Sequence, residues 1–162
     1  MKADKIKTEA CELNVDGISL LSIEEYEACK EHIPLLDHEW WLCSPGVRHD
    51  GTISDRLVMT VSWNDGYVDT RGTWMNLYPY AVRPVLKIPN LESSGLVIGD
   101  KFMLFGYVWT VITNKSALCD HSIGNSYYRK VKRCGKRDHL EEYNAVKFID
   151  QWLAKKIKGG SK

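Results

Sequence analysis

The residues with the most distinctive chemistry lie in the second half of the chain. Cys119, His121, Cys134 and His139 form a C-x-H-x12-C-x4-H pattern, two thiols and two imidazoles of the kind tetrahedral zinc prefers. The spacing fits no finger signature, and a C-x-H pair chelates less favourably than C-x-x-C. The expectation is therefore a chain with no metal and no other cofactor, these four being the residues that would hold zinc. Overlapping them is YYRKVKRCGKR, Tyr127 to Arg137, where Arg129, Lys130, Lys132, Arg133, Lys136 and Arg137 stand in eleven residues without an acid. So dense a run repels itself unless water, an acidic surface or an anionic partner offsets it. Against nucleic acid the cations would meet phosphates, and Tyr127 or Tyr128 would stack on an unpaired base.

Trp40, Trp41, Trp63, Trp74, Tyr78 and Tyr80 supply ring faces that could stack a sugar or a base. Core packing claims several of them. Those in the loop Thr73–Tyr80, namely Trp74 and Tyr78 with Asn76 between them, are expected to face a partner, because large rings on loops are preferred hot spots. Glu24, Glu25, Glu27 and Glu31 share one helix and read as its solvated face rather than as an acid/base pair. No Walker loop, GxGxxG, GxSxG or HExxH is present, so phosphate cradling, dinucleotide binding, serine hydrolysis and zincin chemistry lack support. Cys43 or Cys119 could be paired with a histidine as a thiol nucleophile, but no local signature selects a pair. Binding without catalysis is the expectation.

The elements that must position these groups follow from composition and pattern. The chain has 162 residues, 44% of them hydrophobic and 27% charged, enough to bury a core. Its five cysteines, odd in number and irregularly spaced, argue for reduced thiols rather than a secreted disulfide framework. The N-terminus has no apolar h-region, and no stretch approaches the roughly 20 apolar residues that span a bilayer. A cytoplasmic protein without membrane contact is expected. The net charge of +1 hides an asymmetry: residues 1–90 carry 9 Lys and Arg against 14 Asp and Glu, while residues 91–162 carry 13 against 7. The halves either attract one another or turn the basic one toward an anionic partner.

Ser22 and Glu25 form a capping box for a helix from Ile23 to His32, which Pro34 ends. HEWWL reads as a strand whose Trp40 and Trp41 point to opposite faces, one into the core and the other toward an interface, with a turn at Ser44-Pro45-Gly46. RLVMTVSW, turned by Asp65 and Gly66, reads as a hairpin, and AVRPVLKI as a strand in which Pro84 marks an edge or bulge. PNLESSG has linker composition and coincides with the change of charge sign, which puts a boundary near residue 93. Beyond it, two strands bent at Gly106 and another at ALCDHSI precede a helix from His139 to Lys158, capped by Asp138 and Glu141. Its buried face is expected to run through Val146, Ile149, Leu153 and Ile157. The class is α+β.

In order, LLSIEEYEAC, WWLCSPG, a DG-containing hairpin and YAVRPVLKI resemble the bacterial and phage family called domain of unknown function 6273, which is marked by LLS.EE, WWLRSPG and GVRPAL. The likeness covers Leu20 to Ile88, with Cys43 where the family has Arg. GDKFMLFGYVWTVI and FIDQWL resemble the family's GD...FG...W.V opening and the helix after it. In longer members that part comes first, so the order here looks permuted. The resemblance implies a C-type-lectin-like mixed fold over residues 11–90, completed by a small antiparallel β segment and a C-terminal helix over 95–158. It further implies a phage or mobile-element protein that binds a protein or ribonucleoprotein of the bacterial host, such as an anti-CRISPR inhibitor of host defence. Direct nucleic-acid binding through residues 127–137 is the alternative, and an enzyme of unrecognised type stands third.

Overall fold

The computed structural model describes residues 6–7, 13–75, 78–129, 131–134, 137–140 and 144–159, with the side chains of 6–7, 131–134, 137–140, 144 and 158–159 left out. In chain order these form strand β1 (Ile6–Lys7), β2 (Gly17–Ser19), helix α1 (Ile23–Cys29), β3 (Trp40–Val47), β4 (Ile53–Val61), β5 (Thr73–Trp74), β6 (Ala81–Val82) and β7 (Val85–Lys87). They continue with β8 (Lys101–Leu104), β9 (Tyr107–Thr113), β10 (Ser116–Cys119), β11 (Gly124–Asn125), β12 (Val131–Cys134), β13 (Arg137–Leu140) and α2 (Asn144–Gly159). The protein is α+β, with a six-stranded sheet β1-β8-β9-β10-β7-β2, a five-stranded sheet β11-β6-β3-β4-β5, and a separate ribbon β12-β13.

Strands from both sides of the charge boundary share both larger sheets. β10 pairs with β7, and β11 with β6. The polar stretch between the halves is itself tied down: Leu91 is fully buried, and the Ser93 and Ser94 hydroxyls donate to the Asn90 and Leu91 carbonyls. Strands from before and after residue 93 therefore share the same two sheets.

The chain passes between the two sheets from β2 to β3, from β6 to β7 and from β10 to β11, and the most abrupt of these crossings is at Arg83-Pro84, where AVRPVLKI breaks into β6 and β7. Proline has no N–H to continue a ladder. Here it separates two strands in different sheets rather than marking one edge or bulge.

Trp40 and Trp41 do point to opposite faces, but both are buried, which corrects the expectation of an interface tryptophan. Trp40 packs with Tyr26 and Cys29 of α1, while Trp41 packs with Val58, Val82, Tyr128, Ala145 and Ile149. The five-stranded sheet is thus covered on both faces. β3 also runs straight through Ser44-Pro45-Gly46, where a turn was expected, with register slips on either side of Pro45. Gly46 is required by close approach: a Cβ there would lie 2.1 Å from the Arg71 carbonyl oxygen.

Local signals held where they were self-contained. Ser22 Oγ accepts from Glu25 N–H, and Ser22 N–H donates to the Glu25 carboxylate, completing the capping box of α1. The last part of that helix, Lys30–His32, tightens to a 3-10 turn. Phe105 (φ 57°) and Gly106 (φ 83°) make the two-residue turn between β8 and β9, a geometry that matches the strand twist.

The C-terminal helix starts later than its capping signal suggested. Asp138 and His139 belong to β13, because the pairing of Val131 with Leu140 and of Cys134 with Arg137 takes these residues into a hairpin. α2 then begins at Asn144, and its face is rotated from the expected one. Ala145 and Ile149 are buried, whereas Val146 and Ile157 are exposed. Trp152 fixes that rotation by packing its ring against Phe105, Tyr107 and Trp109.

Candidate binding surfaces

At one end of the five-stranded sheet, the entries to the parallel neighbours β3 and β6 meet the exit of β4 and the end of β11. The side chains delivered there, Asp37, His38 and Glu39 before β3, Trp63 after β4, Pro79 and Tyr80 before β6, and Asn125 on β11, line a recess of about 300 Å³. The hydroxyl of Thr60, itself buried, donates to Glu39 Oε2 and fixes that carboxylate. Tyr80 is held by edge-on packing against Trp41 (centroids 5.0 Å apart) and touches Tyr78 (5.7 Å). Its phenol is pushed above the ordinary range, by partial burial first and then by the negative charge of Glu39. Asp37 and His38 are both exposed and 3.5 Å apart. On the adjoining turn, the Tyr26 hydroxyl donates to the Gly66 carbonyl (2.8 Å) and locks the hairpin that presents Trp63 and Tyr67.

The expected ring surface is divided. Trp74 is exposed, but it sits on the edge strand β5 opposite Leu57 rather than in a loop. Tyr78 is exposed at the recess end, beside Tyr80. Asn76 lies outside the described residues. Sequence reading missed the joining of Asp37 and Glu39 to Trp63, because only strand pairing brings residues 37–39, 63 and 79–81 together.

The basic segment is divided too. Tyr128 is buried against Trp41 (5.5 Å), which corrects its assignment as a stacking residue: the ring is part of the core. Tyr127 and Arg129 are half-buried beside it. Arg133 and Arg137 lie on β12 and β13, with Arg133 in register with Asp138 and Arg137 with Cys134. Lys130 and Lys136 lie outside the described residues.

Among the candidate metal ligands, Cys119 is fully buried and its thiol is pushed up to about 12 by burial, which holds it neutral. Cys119 packs in the hydrophobic core with Trp109, Val111 and Ala117, which corrects it from a candidate ligand to a core residue. His121 is exposed at the strand's end. Cys134 and His139 are on the two strands of the ribbon, and their side chains are outside the description. Among the described residues no group of three or more His, Cys, Asp or Glu could hold a metal. The other described thiols are raised as well, Cys29 to about 11, and burial is the first cause in each case. Cys43 borders a second recess of about 300 Å³ with Met75, Tyr128 and Val146.

Inside the molecule, Arg83 is completely buried where the chain crosses between sheets. Its Nε donates to the Cys119 carbonyl (2.7 Å) and its guanidinium lies over the Trp40 ring at 4.8 Å, while Nη1 and Nη2 have no partner among the described residues. Burial pushes its pKa down to about 10, against an upward pull from Asp120.

Among the described residues no helix is long and apolar enough to cross a membrane. No family model matches the chain, and no curated protein or solved structure matches it either.

Proposed function

We propose that this chain is a non-catalytic binding protein that recognises a protein or ribonucleoprotein through rings displayed by its five-stranded sheet. One contrast carries the reading. Trp40, Trp41 and Trp109 are at most 1% exposed, whereas Trp63, Tyr67, Trp74 and Tyr78 are 55%, 66%, 51% and 54% exposed. Large rings kept in water bring large contact area at small entropic cost, the usual make-up of a hot spot. The resemblance to the bacterial and phage family suggests the setting: the cytoplasm of a bacterial host, and inhibition of a ribonucleoprotein defence effector of the CRISPR type.

A second reading, direct nucleic-acid binding, is favoured by the cation-rich segment forming its own two-stranded ribbon outside both larger sheets. A ribbon of that kind fits a major groove. One experiment separates the two. Wild type, a Trp63→Ala/Tyr78→Ala variant and an Arg129, Lys130, Arg133 and Arg137→Ala variant are titrated against an assembled effector ribonucleoprotein, single-stranded RNA and duplex DNA at two salt concentrations. Binding confined to the ribonucleoprotein and lost in the aromatic variant supports the first reading. Salt-steep binding to free nucleic acid that is lost only in the cation variant supports the second.

A further inference from the structure

We propose that the recess between Glu39, Trp63 and Tyr80 receives a single cationic side chain, lysine or arginine, from a basic surface of the partner. This rests on the reading of the chain as a protein-binding module, and it names the chemistry of one contact within that reading.

Three observations converge. The lining contains two carboxylates, Asp37 and Glu39, and no lysine or arginine. Glu39 is held in place from below by Thr60 through Oε2, while Oε1 accepts no hydrogen bond from the described residues. Its charge is already felt at the Tyr80 phenol, which it pushes upward after burial has done so. The recess thus sets two carboxylates against one imidazole, His38, which lies 3.5 Å from Asp37.

The walls are also aromatic. Trp63 and Tyr80 both line it, and a ring quadrupole attracts an ammonium or guanidinium group while the alkyl stem lies against apolar carbon. At about 300 Å³ the recess is at the small end of ligand pockets, suited to one side chain. Two carboxylates with no lysine or arginine beside them in the lining favour a basic partner over a nucleic-acid backbone.

The test uses the full chain and small probes: N-acetyl-arginine amide, N-acetyl-lysine amide, the neutral isostere N-acetyl-citrulline amide, and a methyl glucoside. The readouts are the Trp63 indole N–H and the Asn125 side-chain amide in two-dimensional NMR. Saturable shifts with the arginine or lysine probe are expected, with at least about tenfold weaker response to citrulline, a factor equal to about 1.4 kcal/mol. Asp37→Asn, at an exposed position that leaves the fold intact, and Glu39→Gln should each weaken the cationic probes several-fold, as should added salt. Equal response to citrulline, response to the glucoside alone, or no shift at all would overturn the proposal. The outcome is separable from the binding reading, because the probes need no partner. A recess indifferent to cations, in a protein whose partner binding still needs Trp63 and Tyr78, sinks this inference alone. A recess that takes the probes in a protein that binds no macromolecule sinks the other.

Discussion

Arg83 offers the sharpest check on the energetics of the interior, because its substitution by methionine removes a buried charge while leaving volume almost unchanged. Burial holds the guanidinium at about 10 against an ordinary 12.5, and at 1.36 kcal/mol per pKa unit this is a penalty of about 3 kcal/mol on the charged form. What offsets it is limited. Nε makes one hydrogen bond, to the Cys119 carbonyl, and the stack on Trp40 adds an attraction of about 1–2 kcal/mol. The pull of Asp120, whose oxygens also accept from Thr110 and Lys101, is already contained in the value of about 10 and adds no further offset. Arg83→Met should therefore be within about 1 kcal/mol of wild type or more stable, as buried charges replaced by apolar groups often are. Arg83→Ala, which leaves a cavity at the sheet crossing, should lose about 3 kcal/mol or more. The sign with pH follows from the lowered value. Below about pH 10 both folded and unfolded chains hold the proton, so the penalty is present in full, and it is relieved only as pH rises from there toward 12.5. The difference between wild type and Arg83→Met should thus be flat from about pH 5 to about pH 9 in urea titrations followed by tryptophan fluorescence. A methionine variant destabilised by more than about 3 kcal/mol would show that Arg83 holds the crossing together and would refute the reasoning.

Trp74→Ala with Tyr78→Ala should change stability by less than about 1 kcal/mol, since both rings are more than half exposed; a loss of cooperative melting would place them in the core. Gly46→Ala should cost about 3 kcal/mol or more because its Cβ would overlap the Arg71 carbonyl, whereas Gly51→Ala, with nothing within 4 Å and only a φ of 87° to strain it, should cost about 1 kcal/mol; equal losses in chemical denaturation would contradict the close-approach argument. Residues 1–90 expressed alone should fail to melt cooperatively, because β7 and β6 lack β10 and β11; a fragment midpoint near that of the full chain would show that the shared sheets are dispensable.

The α+β class was legible from the sequence, and so were the signals that act over a few residues. The Ser22/Glu25 box and the bend at Gly106 need no distant partner, and both are where the pattern put them. Tertiary pairing overrode the rest. Nothing between Ser44 and Gly46 reveals that Val58 lies opposite Pro45 and straightens a turn sequence into strand. Asp138 and Glu141 have the spacing of a cap, yet the ladder with Val131–Cys134 claims residues 137–140 first. Burial of both tryptophans of β3 was illegible for the same reason: alternation says that they face apart, but only the packing of α1 on one side and α2 on the other says that neither side is water. The recess follows this rule, since its acids and rings come from three separate approaches to one sheet end.

The crossing at Arg83-Pro84 also has a meaning for synthesis. When a ribosome has made the chain through β7, the strands that will flank β6 and β7 on their open sides, β11 and β10, are still untranslated. The nascent chain then carries Val82, Val85 and Leu86, all buried in the finished protein, on unsatisfied edges. That exposure lasts until at least Asn125 has emerged, some 40 residues later, or several seconds at ordinary elongation rates of roughly 5–20 residues per second. Slowing translation after Lys87 should lengthen it, and the protein's yield in cells then depends on how well chaperones shield that interval.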